Sequence, residues 1–197
     1  MPDFAKCKVF VGELNDYYLI RETIRETDVV VSFLRPGSRF LNGSMPVASG
    51  YEYIMRTMNE LGLCRLIMIG TPAIRFKCDG ASMITTLPRV ITRLMRPKAY
   101  NEINKIAEIA KVSGLQWTIV RFVSATNGLS AGDVKVTFGD RMVNFTIPRV
   151  DIAAFVIKEI TNRNFIRSMP LEVDNSLLTW NYGLVTKIQI ILIYSNT

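Results

Sequence analysis

The 197-residue sequence contains no histidine. That removes Ser-His-Asp and Cys-His catalysis, histidine-containing zinc sites and imidazole proton shuttling at once. Cysteine is scarce as well. Cys7, Cys64 and Cys78 show no C-x-x-C spacing, and their odd number argues against a disulfide scaffold and for a reducing, cytoplasmic compartment. No metal site is read. Long hydrophobic runs are missing too: the longest, Ile188 to Tyr194, contains Gln189 and falls short of the roughly 18–20 residues that span a bilayer. Met1–Lys6 has no apolar stretch behind it of the kind a signal peptide needs. A soluble protein with no membrane partner is therefore expected. Acidic side chains are the minority, 17 Asp and Glu against 24 Lys and Arg, for a net charge of +7. Such a balance suits anionic ligands. Nucleic acid is not expected, because the cations are scattered and no helix-turn-helix, RNA-recognition or zinc motif accompanies them.

What is present is core-forming. Hydrophobic residues make up 49% of the chain and charged ones 21%, a composition that excludes disorder. Apolar runs rich in β-branched residues alternate with helical periodicity, the pattern of an α/β protein with a parallel sheet. The first predicted strand is Cys7-Lys8-Val9-Phe10-Val11, closed by Gly12. A helix follows with Asp16 as N-cap and Leu19, Ile20 and Ile24 on one face. Asp28 to Leu34 reads as a strand covered on both faces. Val47 to Leu61 reads as a helix that Gly62 terminates, and Arg65 to Ile69 as the next strand, ending in Gly70-Thr71-Pro72. Between Ala73 and Lys98 the chain is irregular, with a helix in its middle; a further helix runs from Tyr100 to Val112. Gln116 to Arg121 is the fourth strand. Asp133 to Phe138 and Met142 to Ile147 look like short strands joined by Gly139-Asp140, Asp151 to Thr161 a helix, and Leu171-Glu172-Val173 a last strand. One domain over residues 1–175 is expected, with a tail over 176–197 that fits no unit of the pattern.

Four stretches in this order carry a family likeness: Val11-Gly12-Glu13-Leu14-Asn15-Asp16, Thr27-Asp28-Val29-Val30-Val31-Ser32, Leu61-Gly62-Leu63-Cys64-Arg65-Leu66-Ile67, and Ser113-Gly114-Leu115-Gln116-Trp117-Thr118-Ile119-Val120-Arg121. They resemble the atypical short-chain dehydrogenase/reductases with a single NAD(P)-binding domain, the group of NmrA-like regulators and flavin reductase/biliverdin reductase B-type enzymes. Leu129 to Asp133 and Ile147 to Ala153 agree with it. The resemblance implies a three-layer Rossmann-like parallel sheet, with NADP or NAD as cofactor and NADPH the favoured form. It also implies that the chain starts where the third family strand stands, an N-terminally truncated version without the glycine-rich turn that holds the pyrophosphate. No G-x-x-G-x-x-G occurs in the sequence. Two outcomes stay open. The first strand moves directly beside the second, or an apolar sheet edge is left exposed to self-association.

Site residues follow from the resemblance. Glu13 and Leu14 would contact adenine, or Glu13 would merely cap the following helix. Leu34, Arg35 and Pro36 would run along ribose and phosphates, Arg35 and Arg39 offering charge-assisted bonds, unless they are solvated loop arginines. Thr71 stands where these enzymes place a catalytic Ser or Thr, and a threonine before proline is also ordinary extended chain. Tyr100 invites comparison with a Y-x-x-x-K pair, but position 104 is Asn and Lys105 lies one residue too far. Phe122, Val123 and Ser124 would flank a nicotinamide ring. Arg89, Arg93 and Arg96 form one basic face over the substrate pocket, suited to an anionic substrate such as a flavin phosphate or tetrapyrrole propionate, or simply to water. The implied function is hydride transfer from NAD(P)H to a small anionic substrate. The alternative is a non-catalytic NmrA-like regulatory or interaction module.

Overall fold

A computed structural model describes residues 8–37, 44–80, 83–130, 132, 134–139, 146–175 and 189–191. Helix α1 (Tyr17–Ile24) starts where the capping residue predicts: the Asp16 carboxylate accepts the Leu19 amide at 2.9 Å. Strand β1 (Val29–Ser32) is buried at all four positions. Helix α2 (Pro46–Glu60) has proline in its first turn, and just past its end Gly62 takes a φ of +71° that a residue with a Cβ rarely adopts. β2 (Arg65–Gly70), α3 (Met83–Met95), α4 (Pro97–Val112) and β3 (Gln116–Arg121) follow. The chain continues through β4 (Ser124–Thr126), β5 (Val134–Thr137), β6 (Thr146–Pro148), α5 (Arg149–Asn162), β7 (Leu171–Asn175) and β8 (Gln189–Ile191).

Six strands form one sheet in the order β5-β7-β3-β2-β1-β8, and β4 pairs with β6 in a second, two-stranded one. All neighbours are parallel except β5 and β7. The register at the centre runs from Arg65 opposite Gln116 to Gly70 opposite Arg121. Alternation along the strands divides the core into two layers. Val30, Leu66, Met68, Trp117 and Ile119 meet Ile20, Ile24, Tyr51, Ile54, Met58 and Ala107 of α1, α2 and α4. Val29, Val31, Ile67 and Val120 meet Ile152, Val156 and Ile160 of α5 on the other face. The three-layer Rossmann-like architecture expected from the sequence is the one observed.

Three expectations are corrected. Lys8 to Gly12 forms no strand, and Val9 and Val11 are exposed; Cys7 lies outside the described residues. The edge of β1 where that strand was to lie is paired instead with β8, Val30 opposite Gln189 through Ser32 opposite Ile191. A strand needs a free hydrogen-bonding edge, and this one is taken. Neither of the two anticipated outcomes holds: the edge is closed by part of the tail. Second, the strands either side of Gly139 do not pair with each other; β5 goes to β7 and β6 to β4. Third, Arg89, Arg93 and Arg96 do not share a helix face. Arg96 sits between α3 and α4 with φ −140° and ψ 62°, outside the helical region because Pro97 follows it. Arg39 and positions 141–145 lie outside the described residues.

Candidate functional site

In a parallel sheet of this kind, ligands sit at the carboxyl ends of the strands, where the chain leaves one layer for another. Here β1 runs out into Leu34-Arg35-Pro36, β2 into Gly70-Thr71-Pro72, and β3 towards Val123. These segments enclose a cavity of about 480 Å³, within the usual range of ligand pockets of about 300–1,000 Å³. Leu87, Ile91 and Met95 of α3 and Ala99 and Ile103 of α4 form its far wall. Its lining is largely apolar. Among the described residues, the charged side chains that reach it are Arg35 and Arg96, and no carboxylate does.

Its floor carries a buried hydroxyl pair. Ser32 Oγ and Tyr51 Oη lie 2.9 Å apart, the Tyr51 hydroxyl donates to the Leu34 carbonyl at 3.4 Å, and the Leu34 amide donates to Ser32 Oγ at 3.4 Å. Burial pushes the Tyr51 phenol well above its ordinary value, and the bond to Ser32 only partly opposes this. Tyr51 therefore stays protonated and acts as a clamp on the Leu34 segment.

The Thr71 segment is fixed from below. The Thr71 carbonyl accepts the Ile74 amide at 3.1 Å, and its Oγ1 accepts the Ala73 amide at 3.3 Å, which leaves the hydroxyl hydrogen available to donate into the cavity. Arg121, wholly buried, donates to the Ile74 carbonyl at 2.9 Å and to both carboxylate oxygens of Asp79 at 2.8 and 2.6 Å. Gly70 is required for close approach: a Cβ there would meet Ile119 Cγ2 at 2.7 Å.

Six of the residues singled out from the sequence come together at this cavity: Leu34, Arg35, Pro36, Thr71, Arg96 and Val123. Others lie elsewhere. Phe122 is buried on the α5 side of the sheet, and Ser124 is exposed at the start of β4. Glu13 is exposed, while Leu14 packs over Gly50 of α2. Tyr100 sits in the first turns of α4 with its carbonyl accepting from Asn104, outside the cavity lining. Sequence reasoning missed Tyr51, Asp79 and Arg121. The signal was weak but present, since a polar residue inside an apolar helix face or at the end of an apolar strand must be satisfied by partners.

The model of a family described as NAD(P)H-binding matches residues 1–163. This chain belongs to that family. Among curated proteins none matches it. Solved structures with the same fold include ChuY from Escherichia coli CFT073, at 14% identity over 87% of this chain and 79% of that one, with a TM-score of 0.65. A short-chain dehydrogenase/reductase from Veillonella parvula DSM 2008, solved in complex with NADP, shares 12% identity over 88% and 76% of the two chains, with a TM-score of 0.66. ChuY from Escherichia coli O157:H7, described as an anaerobilin reductase, shares 14% identity over 87% and 77%, also with a TM-score of 0.66. The resemblance read from the sequence thus holds at the level of the NAD(P)H-binding family and its fold.

NAD(P)H is the cofactor of this family, and the cavity fits its nicotinamide end in size, apolar walls and position at the strand ends. The pyrophosphate end has fewer partners. The N-terminus of α2, which faces the same edge, is already filled by a carboxylate, because Glu102 Oε1 accepts the amides of Val47 at 2.8 Å and Ala48 at 3.1 Å. Arg35 is the cation nearest in sequence to the β1 exit, and it lines the cavity. No helix among the described residues is long and apolar enough to cross a membrane, and no cluster of His, Cys, Asp or Glu among them has the makings of a metal site.

Proposed function

We propose that this chain holds the nicotinamide end of NADPH or NADH together with a small, mainly apolar, anionic substrate and promotes reduction of that substrate. The observation that carries this reading is the cavity at the ends of β1, β2 and β3, apolar but for hydroxyl groups and two arginines. When bound, NAD(P)H supplies the hydride. Leu34 and Pro36 would hold its ribose end, and Arg35 would supply a charge-assisted bond to its phosphates. Val123 would face the ring, while Phe122 and Ser124, which lie outside the cavity lining, receive no part. The Thr71 hydroxyl donates a hydrogen bond to the substrate's carbonyl or equivalent acceptor, favouring the developing negative charge. Arg96, at the opposite wall, holds the anionic group of the substrate. The apolar wall of α3 excludes water from the reacting atoms. Glu13, Leu14 and Tyr100 receive no part in this mechanism, because they do not reach the cavity.

Titration with NADPH, followed by nicotinamide fluorescence, tests the reading. A saturable signal is expected, weakened roughly tenfold or more in Arg35→Ala, the loss of one charge-assisted bond. No saturable signal at millimolar NADPH would overturn it.

A further inference from the structure

Helix α3 carries more apolar surface than the cavity uses. Met83 is 76% exposed, Val90 44% and Leu94 76%, and none of the three lines the cavity. With Leu87, 43% exposed, they recur at intervals of four, three and four residues. At about 100° per residue these positions fall on one stripe along the helix. The other side of α3 holds it to the body of the protein: Thr85 is buried, with its hydroxyl donating to the Gly80 carbonyl at 3.1 Å, and α3 packs on α4.

The charge around the stripe has one sign. From Met83 to Asn101 there is no Asp or Glu, while Arg89, Arg93, Arg96 and Lys98 fall within it. Arg93 and Arg96 are exposed. An exposed stripe of Met, Val and Leu flanked by arginine is the composition of a helix that lies in the plane of a bilayer surface, apolar side chains in the acyl boundary and guanidinium groups among anionic headgroups. We infer that α3 docks this protein on an anionic lipid surface.

The two rival occupants fit less well. A second copy would bring like charges together, since its own α3 has no acidic side chain to offer. A protein partner would have to supply a groove for Met83 and Leu94, each three-quarters exposed, whereas a lipid layer accommodates a ridge of any outline. The absence of membrane-spanning runs in the sequence does not bear on this, because an interfacial helix needs an apolar stripe and not a long apolar run. Docking by α3 would also present the cavity, whose wall is the neighbouring face of the same helix, towards the lipid. This part of the inference stands apart from the reductase reading and does not depend on it.

Co-sedimentation of the full chain with phosphatidylcholine vesicles, alone or with about one-third phosphatidylglycerol, tests it. Binding to the anionic vesicles is expected, at least tenfold stronger than to the neutral ones and falling as salt is raised. Leu94→Asp and Met83→Ser each remove an exposed contact and are expected to lower binding severalfold with an unchanged circular dichroism spectrum. Arg93→Glu is expected to weaken binding to the anionic vesicles alone. The inference is overturned if the protein stays in the supernatant with both vesicle types, if it binds both equally, or if Leu94→Asp binds as well as the parent. It is equally overturned if light scattering shows a dimer that Leu94→Asp dissociates, or if an acidic amphipathic peptide saturates α3 while vesicles do not bind.

Discussion

Arg121 and Asp79 form a two-point ion pair inside the protein, Nη1 to Oδ2 at 2.8 Å and Nη2 to Oδ1 at 2.6 Å. The arginine ends β3 and the aspartate lies in the loop after β2. The same guanidinium donates to the Met169 carbonyl at 2.9 Å, which leads into β7. One side chain therefore ties together the cavity loop, the end of β3 and the segment that leads into β7. Removing either partner leaves the other charge buried and unpaired, at a cost of about 3–5 kcal/mol. We expect Asp79→Ala to lower the urea midpoint accordingly, and Arg121→Met with Asp79→Leu to cost less than the two single changes added together.

Glu102 caps a helix other than its own. Its Oε1 takes the amides of Val47 and Ala48, two of the donors that α2 leaves without intrahelical partners. Glu102→Ala is expected to cost about 1–2 kcal/mol in thermal unfolding, and Glu102→Gln, which keeps an acceptor in the same place, clearly less.

Gly70 links cavity shape to stability. Gly70→Ala drives a methyl group into Ile119, at 2.7 Å, and against Ile74 at 3.1 Å. Both neighbours line the cavity. Overpacking of this kind costs about 1–3 kcal/mol. NADPH titration of the variant, at a temperature where it is fully folded, is expected to show weaker binding than the parent.

The acid side of the stability profile contains a contribution from Glu60. Its carboxyl is held below the ordinary glutamate value, first by the hydrogen bond from the Tyr17 hydroxyl and then by Arg56, with Arg21 adding a smaller pull. A carboxylate that titrates lower in the folded state stabilises it above the unfolded-state value, and that stabilisation is lost as pH falls through the folded-state value. Tyr17→Phe is expected to move the Glu60 midpoint upwards in a carbon-detected NMR titration and to flatten the loss of stability below the ordinary glutamate range.

The elements were legible where local chemistry decides them. Asp16 announced α1, Gly62 closed α2, and the run Gln116 to Arg121 gave β3 residue for residue. That Leu34, Arg35, Pro36, Thr71 and Val123 would lie near one another was legible because strand ends in a parallel sheet converge, and they line one cavity. What resisted reading was non-local. Nothing in Val9 or Val11 says that the edge they would use is taken, and nothing in Ile190 says that it will lie opposite Val31. Tyr51 is core, yet its hydroxyl also holds the cavity segment, a role that its place in an apolar helix face does not announce. Arg89 and Arg93 were read with Arg96 as one face because helical periodicity continues past Met95 in the sequence, while Pro97 stops it in space.

The pairing of β8 with β1 joins residues near opposite ends of the chain, Ser32 and Ile191. Contacts of such long sequence separation form late, since the entropy of closing so large a loop is lost before the contact returns anything. During synthesis β1, β2 and β3 are made long before β8, so the edge of β1 that β8 covers lacks that partner until residues 189–191 emerge. A chain that stops short of residue 189 would leave that edge bare, and an unpaired apolar strand edge favours self-association.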